Sequence, residues 1–296
     1  MSNVSLREWI LAARPKTLTA AFVPVVCGHL IVNIYAEQHV SIALTALALF
    51  CAILIQVGTN FFNDVVDFKN GVDSGQRAGP RRLLQQGKVS ETRMRAAAHV
   101  CFFIALMAGL PLVFKGGLVI LGIGIVSIVI GYSYSAAPLK IAYRGLAEPF
   151  VVLFFGVIAV IGVEWLHERT FSPLGIITGL QLGLLATVLL VINNIRDHKQ
   201  DLENGKLTLV ARYGRKFGVA EIIIFYTVVL LLSLIPPISL LPFQAISYLW
   251  ILPAIFVIQN IIFLGSPEKL NKTLGFSAAV HLIFGISRAA QLLWYN

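Results

Sequence analysis

The chain has 296 residues, of which 57% are hydrophobic and only 12% are charged, and its mean hydropathy is +0.83. Soluble domains carry about 25% charged residues, and half that share leaves too little polar surface to cover a water-soluble globule. The composition therefore excludes an ordinary soluble protein. The net charge of +9 is explained by membrane topology and by anionic lipid head groups, so it does not require a nucleic-acid partner.

Apolar runs that are long enough to cross a bilayer recur along the whole chain. A transmembrane helix needs about 20 apolar residues, and unalternating runs of this length predict helices rather than barrel strands. Before the first run, residues 5–16 predict a short amphipathic helix on the membrane surface. The sequence thus predicts an all-α integral membrane protein. Its nine predicted spans are 18–36, 41–63, 96–113, 117–134, 149–165, 174–195, 217–235, 243–264 and 275–294.

Positive charge marks one side of the membrane. If the N-terminus is cytoplasmic, all but three of the 23 Lys and Arg residues precede the first span or fall in inward connections. The exceptions are Lys115, Arg169 and Arg288. Because short cytoplasmic connections are enriched in Lys and Arg, we expect a multi-pass protein of the cell (inner) membrane. Its N-terminus and long loops would be cytoplasmic and its C-terminus outside.

Two inward connections, 64–95 and 196–216, are long, polar and rich in both signs of charge. Long loops on a compact chain commonly carry function. Both follow similar motifs: NFFNDVVDFKNGVD at 60–73 and NNIRDHKQDLENGK at 193–206. We therefore expect the functional site at these two loops.

The two motifs align at one common offset, which indicates an internal repeat. Asn60 and Asp64 of the first motif correspond to Asn193 and Asp197 of the second. This correspondence predicts two related four-helix units plus a ninth helix. The chain would be one membrane-embedded domain over 1–296, with pseudo-repeat halves of roughly 1–148 and 149–296.

Each motif places an amide and two carboxylates on one face of a helix end, because residues three and four apart share a face. Mg²⁺ commonly binds one or two carboxylates and fills its other positions with water and substrate phosphate. The sequence therefore predicts Mg²⁺ as cofactor and a diphosphate as its partner in the site. The two predicted stripes are Asn60, Asp64 and Asp67, and Asn193, Asp197 and Asp201, and Asp73 follows the first after a turn. The predicted metal ligands are Asp64, Asp67, Asp73, Asp197 and Asp201.

The alternative for these acids is that they are solvated loop residues after a membrane helix. For a single Asp that interpretation would be the simpler one. Two stripes of matching helical phase at the membrane edge favour function, because carboxylates at this depth are costly. A Ca²⁺-buffering loop is not indicated, since its alternating ligand spacing is missing from the sequence.

Basic residues near the motifs are candidates to hold a departing diphosphate, whose growing charge Lys and Arg stabilise in a closed site. Lys140 and Lys206 are the preferred candidates, because each lies beside a helix end in a short segment constrained by Gly or Pro. Taken singly, each of these cations is also explained by topology. The other candidates are Arg14, Lys16, Arg77, Arg81, Arg82 and Arg144.

With these motifs the chain resembles the UbiA-type prenyltransferase superfamily over nearly its whole length, and within it most the 1,4-dihydroxy-2-naphthoate polyprenyltransferases of menaquinone biosynthesis. That branch shows an early RPKTL segment, matched by Arg14–Leu18. It shows GTN-x2-ND-x2-D-x3-G-x-D, matched from Gly58 to Asp73, and NN-x-RD-x3-D-x3-GK-x-TL, matched from Asn193 to Leu209. One departure is Ala147, where family members commonly have Gly in a GLGE segment.

The resemblance implies a helical bundle around a central cavity, capped by the inward loops and open to lipid. It implies a magnesium-dependent prenyltransferase that joins a polyprenyl diphosphate to an aromatic small-molecule acceptor. The implied catalytic residues are Asp64, Asp67, Asp197, Asp201 and Lys140. The implied substrate-binding residues are Asn60, Asn63, Asn193, Asn194, Lys206, Arg144, Arg14, Lys16 and Tyr134.

Aromatic side chains near the first motif are candidates to shield an allylic cation through cation–π contact. They are Tyr132, Tyr134, Phe61 and Phe62. Ordinary packing is the alternative for each of them.

Two other classes of protein remain open at this stage. A secondary transporter also has repeats and intramembrane charges, but its ion ligands usually lie in broken helices at the midplane, whereas these acids cluster at the membrane edge. A structural subunit of a membrane complex would not need two matched acidic stripes. Within the enzyme class, another quinone-precursor phenol is the alternative acceptor.

Overall fold

The structure, a computed structural model, describes residues 4–36, 40–72, 79, 82–263 and 266–295. Asp73, a predicted metal ligand, and the candidate cations Arg77 and Arg81 lie outside the described residues. The described residues form α-helices joined by turns, and no strand. The helices are α1 (Leu6–Ala12), α2 (Thr19–Tyr35), α3 (Ile42–Lys69), α4 (Glu91–Ser133), α5 (Ala147–Val152), α6 (Ile158–Glu168), α7 (Pro173–Glu203), α8 (Leu209–Tyr213), α9 (Arg215–Ser233), α10 (Ile251–Phe263) and α11 (Pro267–Tyr295).

Eight helical segments within the described residues are long and apolar enough to cross a membrane. The protein is thus an all-helical, multi-pass membrane protein, but the predicted count of nine spans is not confirmed. The difference lies in α4, whose 43 residues are two helices joined at a kink and are together about twice the length that a bilayer requires. Its backbone is non-helical at Gly117 (φ 67°, ψ −157°), where the predicted spans 96–113 and 117–134 meet.

Serine side chains begin three of the long helices. Ser41, Ser90 and Ser172 each accept a hydrogen bond from the backbone N–H three residues later, at the starts of α3, α4 and α7. Such a cap satisfies one of the four N–H groups that a helix start leaves without an intrahelical partner.

α7 is the central helix of the second half of the chain, and most of its apolar length is buried. It approaches the junction of α5 and α6 through glycines, where the helix widens into one π-helical turn at Leu153–Val157. A Cβ atom added to Gly183 would lie 2.3 Å from the carbonyl oxygen of Val152. Small residues at this crossing therefore let the two backbones pack directly against each other, as is common in membrane helix bundles.

The ends of α3 and α7 that carry the acidic motifs, here called the acidic end, are covered by three connections. The loop after α4 closes on itself where Ala142 N–H donates to the Tyr134 carbonyl oxygen at 2.7 Å. Leu207 N–H then donates to the Tyr143 carbonyl oxygen at 3.1 Å, which joins this loop to the one after α7. The third connection follows α3, and its residues Leu83 and Leu84 are buried in one apolar cluster with Phe61 of α3, which holds it in place.

Candidate active site

The first acidic motif lies in the last two turns of α3, and both of its helical carboxylates are buried. Asp64 is 2% exposed and Asp67 is fully buried. Two charges in such a place need compensation, because an unpaired buried carboxylate is very costly. The structure supplies this compensation with side chains from three different loops.

Three cations contact the carboxylates of Asp64 and Asp67. Arg14, which follows α1, donates from Nη2 to Asp64 Oδ1. Arg82 Nη1 lies 2.9 Å from Asp64 Oδ1 and 3.0 Å from Asp67 Oδ2. Lys206 Nζ lies 3.2 Å from Asp67 Oδ2. Among the described residues, Arg14, Arg82 and Lys206 thus bring three positive charges to the two carboxylates of the first motif.

Tyr143 is a fourth partner of the first motif. Its hydroxyl donates to Asp67 Oδ1 at 2.8 Å and accepts from Asn70 Nδ2 at 3.1 Å. Burial and the neighbouring charge of Asp67 raise the pKa of Tyr143 above its ordinary value, so the phenol stays a hydrogen-bond donor. Lys206 Nζ also lies 5.6 Å from the centroid of its ring.

The second motif, at the end of α7, is arranged differently. Arg196 donates from Nε and Nη2 to the two carboxylate oxygens of Asp197, at 2.8 and 2.7 Å, and from Nη1 to Asn271 Oδ1 at 2.7 Å. Asp201 is buried, with 3% exposure. Asp197 is therefore held by its sequence neighbour, whereas the first motif is held by residues from remote loops.

Several contacts bring the two motifs together. Lys206, which ends the second motif, reaches Asp67 of the first, and Gln200 donates to the carbonyl oxygen of Val72. Burial raises the pKa of Tyr134, and the charges of Glu148, Asp67 and Asp201 raise it further. The expectation that both motifs face one region of the protein therefore agrees with the structure.

The four predicted asparagines have separate contacts. Asn60 Nδ2 donates to the Ala13 carbonyl oxygen at 3.1 Å, which fixes the segment that carries Arg14. Asn63 accepts from the Ser135 hydroxyl. Asn193 donates to the Leu189 carbonyl oxygen of its own helix at 3.0 Å, and Asn194 donates to Glu148 Oε1 at 3.3 Å. Their role in substrate binding stays a prediction.

The remaining predicted cations are not part of the cluster. Lys140, Arg144 and Lys16 are exposed, and within the described part of the chain none of them pairs with Asp64 or Asp67. Lys140 has a left-handed backbone (φ 48°) and caps the turn Ile141–Arg144 through its carbonyl oxygen. Their assignment as diphosphate ligands stays a prediction.

Arg82, one of several candidate cations after the first motif, contacts Asp67 in the structure. Tyr143 was not predicted from the sequence. The available signal for Tyr143 is its place in the third inward loop, between Lys140 and Arg144.

An apolar cavity of about 230 Å³ begins at Tyr134 and runs away from the acidic end between α2, α3, α4 and α6. Phe150 and Phe154 line its wall, and Leu112 and Leu166 lie at its far end. Of the aromatic residues considered for shielding a cation, only Tyr134 lines it. Phe61 packs on Trp9, and Phe62 stacks on Tyr132 at 4.2 Å between centroids.

The donor chemistry of the acidic end fits a divalent metal that keeps positions open for phosphate. No group of three or more His, Cys, Asp or Glu side chains is gathered as a complete metal cage in the described ranges. Asp64 and Asp67 nevertheless offer two carboxylates from adjacent turns, and Mg²⁺ usually takes only one or two from protein. The arrangement suits a metal that arrives with its substrate rather than a resident structural ion.

The profile of the UbiA prenyltransferase family matches residues 21–280 of the chain. The chain belongs to the UbiA prenyltransferase family. It is a prenyltransferase. The enzyme hypothesis is therefore confirmed, and the transporter and structural-subunit hypotheses are wrong.

Two similar relatives are 1,4-dihydroxy-2-naphthoate octaprenyltransferases. The Escherichia coli (strain K12) protein is 34% identical over 217 residues, which cover 70% of this chain and 69% of the relative. The Haemophilus influenzae protein is 28% identical over 305 residues, which cover 99% and 98% of the two chains.

Solved structures show the same fold. A UbiA homolog from Archaeoglobus fulgidus bound to DMAPP and Mg²⁺ has a TM-score of 0.60 at 15% identity, with 96% of this chain and 99% of that chain covered. The apo UbiA homolog from Aeropyrum pernix K1 has a TM-score of 0.64 at 16% identity, with 96% and 98% covered.

Proposed function

We propose that this prenyltransferase transfers a polyprenyl group from a polyprenyl diphosphate to 1,4-dihydroxy-2-naphthoate. The observation that best supports this proposal is the junction at Tyr134. There an apolar cavity meets the cluster formed by the carboxylates of the first motif and their Arg and Lys partners. A donor with a charged head and a long apolar tail matches both environments. The names of the relatives support the naphthoate acceptor, and another quinone-precursor phenol is the alternative.

The head of the donor would bind at the acidic end. Asp64, Asp67, Asp197 and Asp201 are the carboxylates that would hold Mg²⁺, with Asp73 as a further predicted ligand. When bound, the metal supplies positive charge that neutralises the diphosphate as it leaves. The same role for Mg²⁺ agrees with the metal found in the Archaeoglobus fulgidus homolog.

Protein cations would stabilise the leaving group from the other side. Arg14, Arg82 and Lys206 are already gathered at the carboxylates of Asp64 and Asp67. As the allylic C–O bond breaks, negative charge grows on the diphosphate oxygens, and donors already in place stabilise it with little reorganisation. Guanidinium groups are well suited, since they bind phosphate through two parallel hydrogen bonds.

The tail would lie in the apolar cavity, where each buried CH₂ contributes about 0.8 kcal/mol. Tyr134 lines the cavity where it meets the acidic end, so its ring would face the reacting carbon and stabilise the cation. An apolar wall also excludes water, which would otherwise capture the cation.

The acceptor ring would then attack the allylic carbon. A C–C bond forms to the ring, the donor C–O bond has broken, and diphosphate leaves. With dihydroxynaphthoate, the ring carbon that is attacked loses its carboxyl group as CO₂, and a phenolic proton is released and returned to the ring system. The product would be the reduced form of demethylmenaquinone.

The placement in the cell follows from charge. We propose that the acidic end faces the cytoplasm of a cell (inner) membrane, because the loops that form it carry most of the Lys and Arg residues. The two acidic motifs would then be equivalent parts of two halves, roughly 1–148 and 149–296, of one domain.

The direct test is an assay of the purified chain in detergent with radiolabelled polyprenyl diphosphate and Mg²⁺. Dihydroxynaphthoate and 4-hydroxybenzoate are offered in parallel, and each reaction is repeated with EDTA. We expect a prenylated naphthoquinone from the first acceptor alone, and none with EDTA. Product from 4-hydroxybenzoate alone would overturn the acceptor, and full turnover in EDTA would overturn the metal.

A further inference from the structure

We infer that Arg82 occupies, in the metal-free protein, the place between Asp64 and Asp67 that a divalent cation takes when the donor binds. Metal and diphosphate would therefore enter the site together, because the diphosphate gives Arg82 a new partner. This inference rests on the proposed function and concerns the order of events in the same site.

The geometry singles out Arg82 among the three cations. Its Nη1 atom lies 2.9 Å from Asp64 Oδ1 and 3.0 Å from Asp67 Oδ2, so one nitrogen bridges the two carboxylates. Arg14 contacts Asp64, and Lys206 contacts Asp67, each from its own side. A metal shared by the two carboxylates would need the bridging position.

Burial makes a resident cation necessary. The side chains of Asp64 and Asp67 are 3% and 0% exposed, and that of Arg82 is 8% exposed. Two carboxylates at such close range repel each other strongly in a medium of low dielectric constant. A guanidinium between them offsets this repulsion, so the two carboxylates can lie side by side while no metal is present.

The same contact makes free metal a poor ligand. Arginine has five N–H donors and stays protonated, so it competes with Mg²⁺ for the same oxygen atoms and repels it. A diphosphate changes this balance, because its oxygens accept the guanidinium in a bidentate arrangement and also fill metal positions. Asp64 and Asp67 would then be available to hold the metal, and the diphosphate would supply further oxygen ligands.

The test measures Mn²⁺ binding to the full chain by equilibrium dialysis, with and without inorganic diphosphate, for the wild type and Arg82→Gln. Losing a charged hydrogen-bonding competitor should tighten Mn²⁺ binding without diphosphate about tenfold or more. The enhancement by diphosphate should shrink. Unchanged or weaker Mn²⁺ binding without diphosphate would overturn the inference, since a residue that merely supports the site would not compete with the metal.

The matched control is Arg95→Gln, which removes one positive charge from a half-exposed ion pair with Glu91 and should leave Mn²⁺ binding at the wild-type value. If Arg82→Gln does not fold, Arg82→Lys decides, because a lysine keeps the charge but lacks the planar fork. It should tighten binding of free Mn²⁺ by a smaller factor, and no change would overturn the inference. Failure of the proposed function looks different: the wild type would then bind no Mn²⁺ under either condition.

Discussion

Tyr143→Phe removes one hydroxyl from the site and leaves its ring, and with it the contact to Lys206, in place. The lost bond is that of the phenol to Asp67 Oδ1 at 2.8 Å. A hydrogen bond to a charged group contributes about 1.5–3 kcal/mol, and the lower part of that range applies, because Asp67 keeps Arg82 and Lys206. We expect kcat/KM and the apparent Mg²⁺ affinity to fall about 10- to 30-fold, within the range for partners of metal ligands.

The assay measures initial rates over a range of donor concentrations, which gives kcat/KM, and titrates Mg²⁺ at saturating donor and acceptor, which gives the apparent Mg²⁺ affinity. Tyr213→Phe is the control because that tyrosine is exposed. Since the pKa of Tyr143 is raised, its phenol stays protonated as pH increases, and its contribution should persist up to at least pH ~10, the ordinary tyrosine value. Activity of Tyr143→Phe within about twofold of wild type would refute the role of this hydrogen bond.

Three further outcomes are expected. Asp64→Ala should abolish prenyl transfer while the thermal unfolding midpoint shows a folded protein, and retained turnover would remove Asp64 from the metal site. Gly124→Leu should lower kcat/KM for long donors more than for short ones, because Gly124 lines the cavity and has open space at its Cβ position. Gly122→Leu is its control, being equally open but not a cavity residue. Gly183→Ala should destabilise the protein by about 1–3 kcal/mol through overpacking, since the new Cβ would meet Val152 O at 2.3 Å, and an unchanged unfolding midpoint would contradict the close crossing.

Local patterns in the sequence predicted those features of the protein that depend on residues close together in the chain. Hydropathy predicted the membrane helices, because a backbone in lipid must satisfy its hydrogen bonds within a helix. Helical spacing placed Asp64 and Asp67 at one helix end, and the structure buries both. The predicted boundary between the spans 96–113 and 117–134 coincides with the non-helical backbone at Gly117 in α4, since a glycine with positive φ readily interrupts a helix.

The sequence named Arg14, Arg82 and Lys206 among the candidate cations, but it could not tell which candidates reach the buried carboxylates. Lys140 and Arg144 were plausible by position, yet both are exposed, while Arg82 and Tyr143 reach Asp67. The choice among them depends on how separate loops pack against α3.

Local sequence patterns are therefore enough for the membrane class, the all-helical architecture and the two acidic motifs, because each depends on residues within a few turns of one another. Which donors surround Asp67 depends on tertiary packing. Burial of Leu83 and Leu84 against α3 holds the loop that carries Arg82, and the bond from Leu207 to Tyr143 fixes two further loops. A Lys or Arg side chain reaches a buried carboxylate only where distant segments pack together. Such long-range contacts produce no periodic pattern in the sequence, so they cannot be predicted from it in the way that helices can.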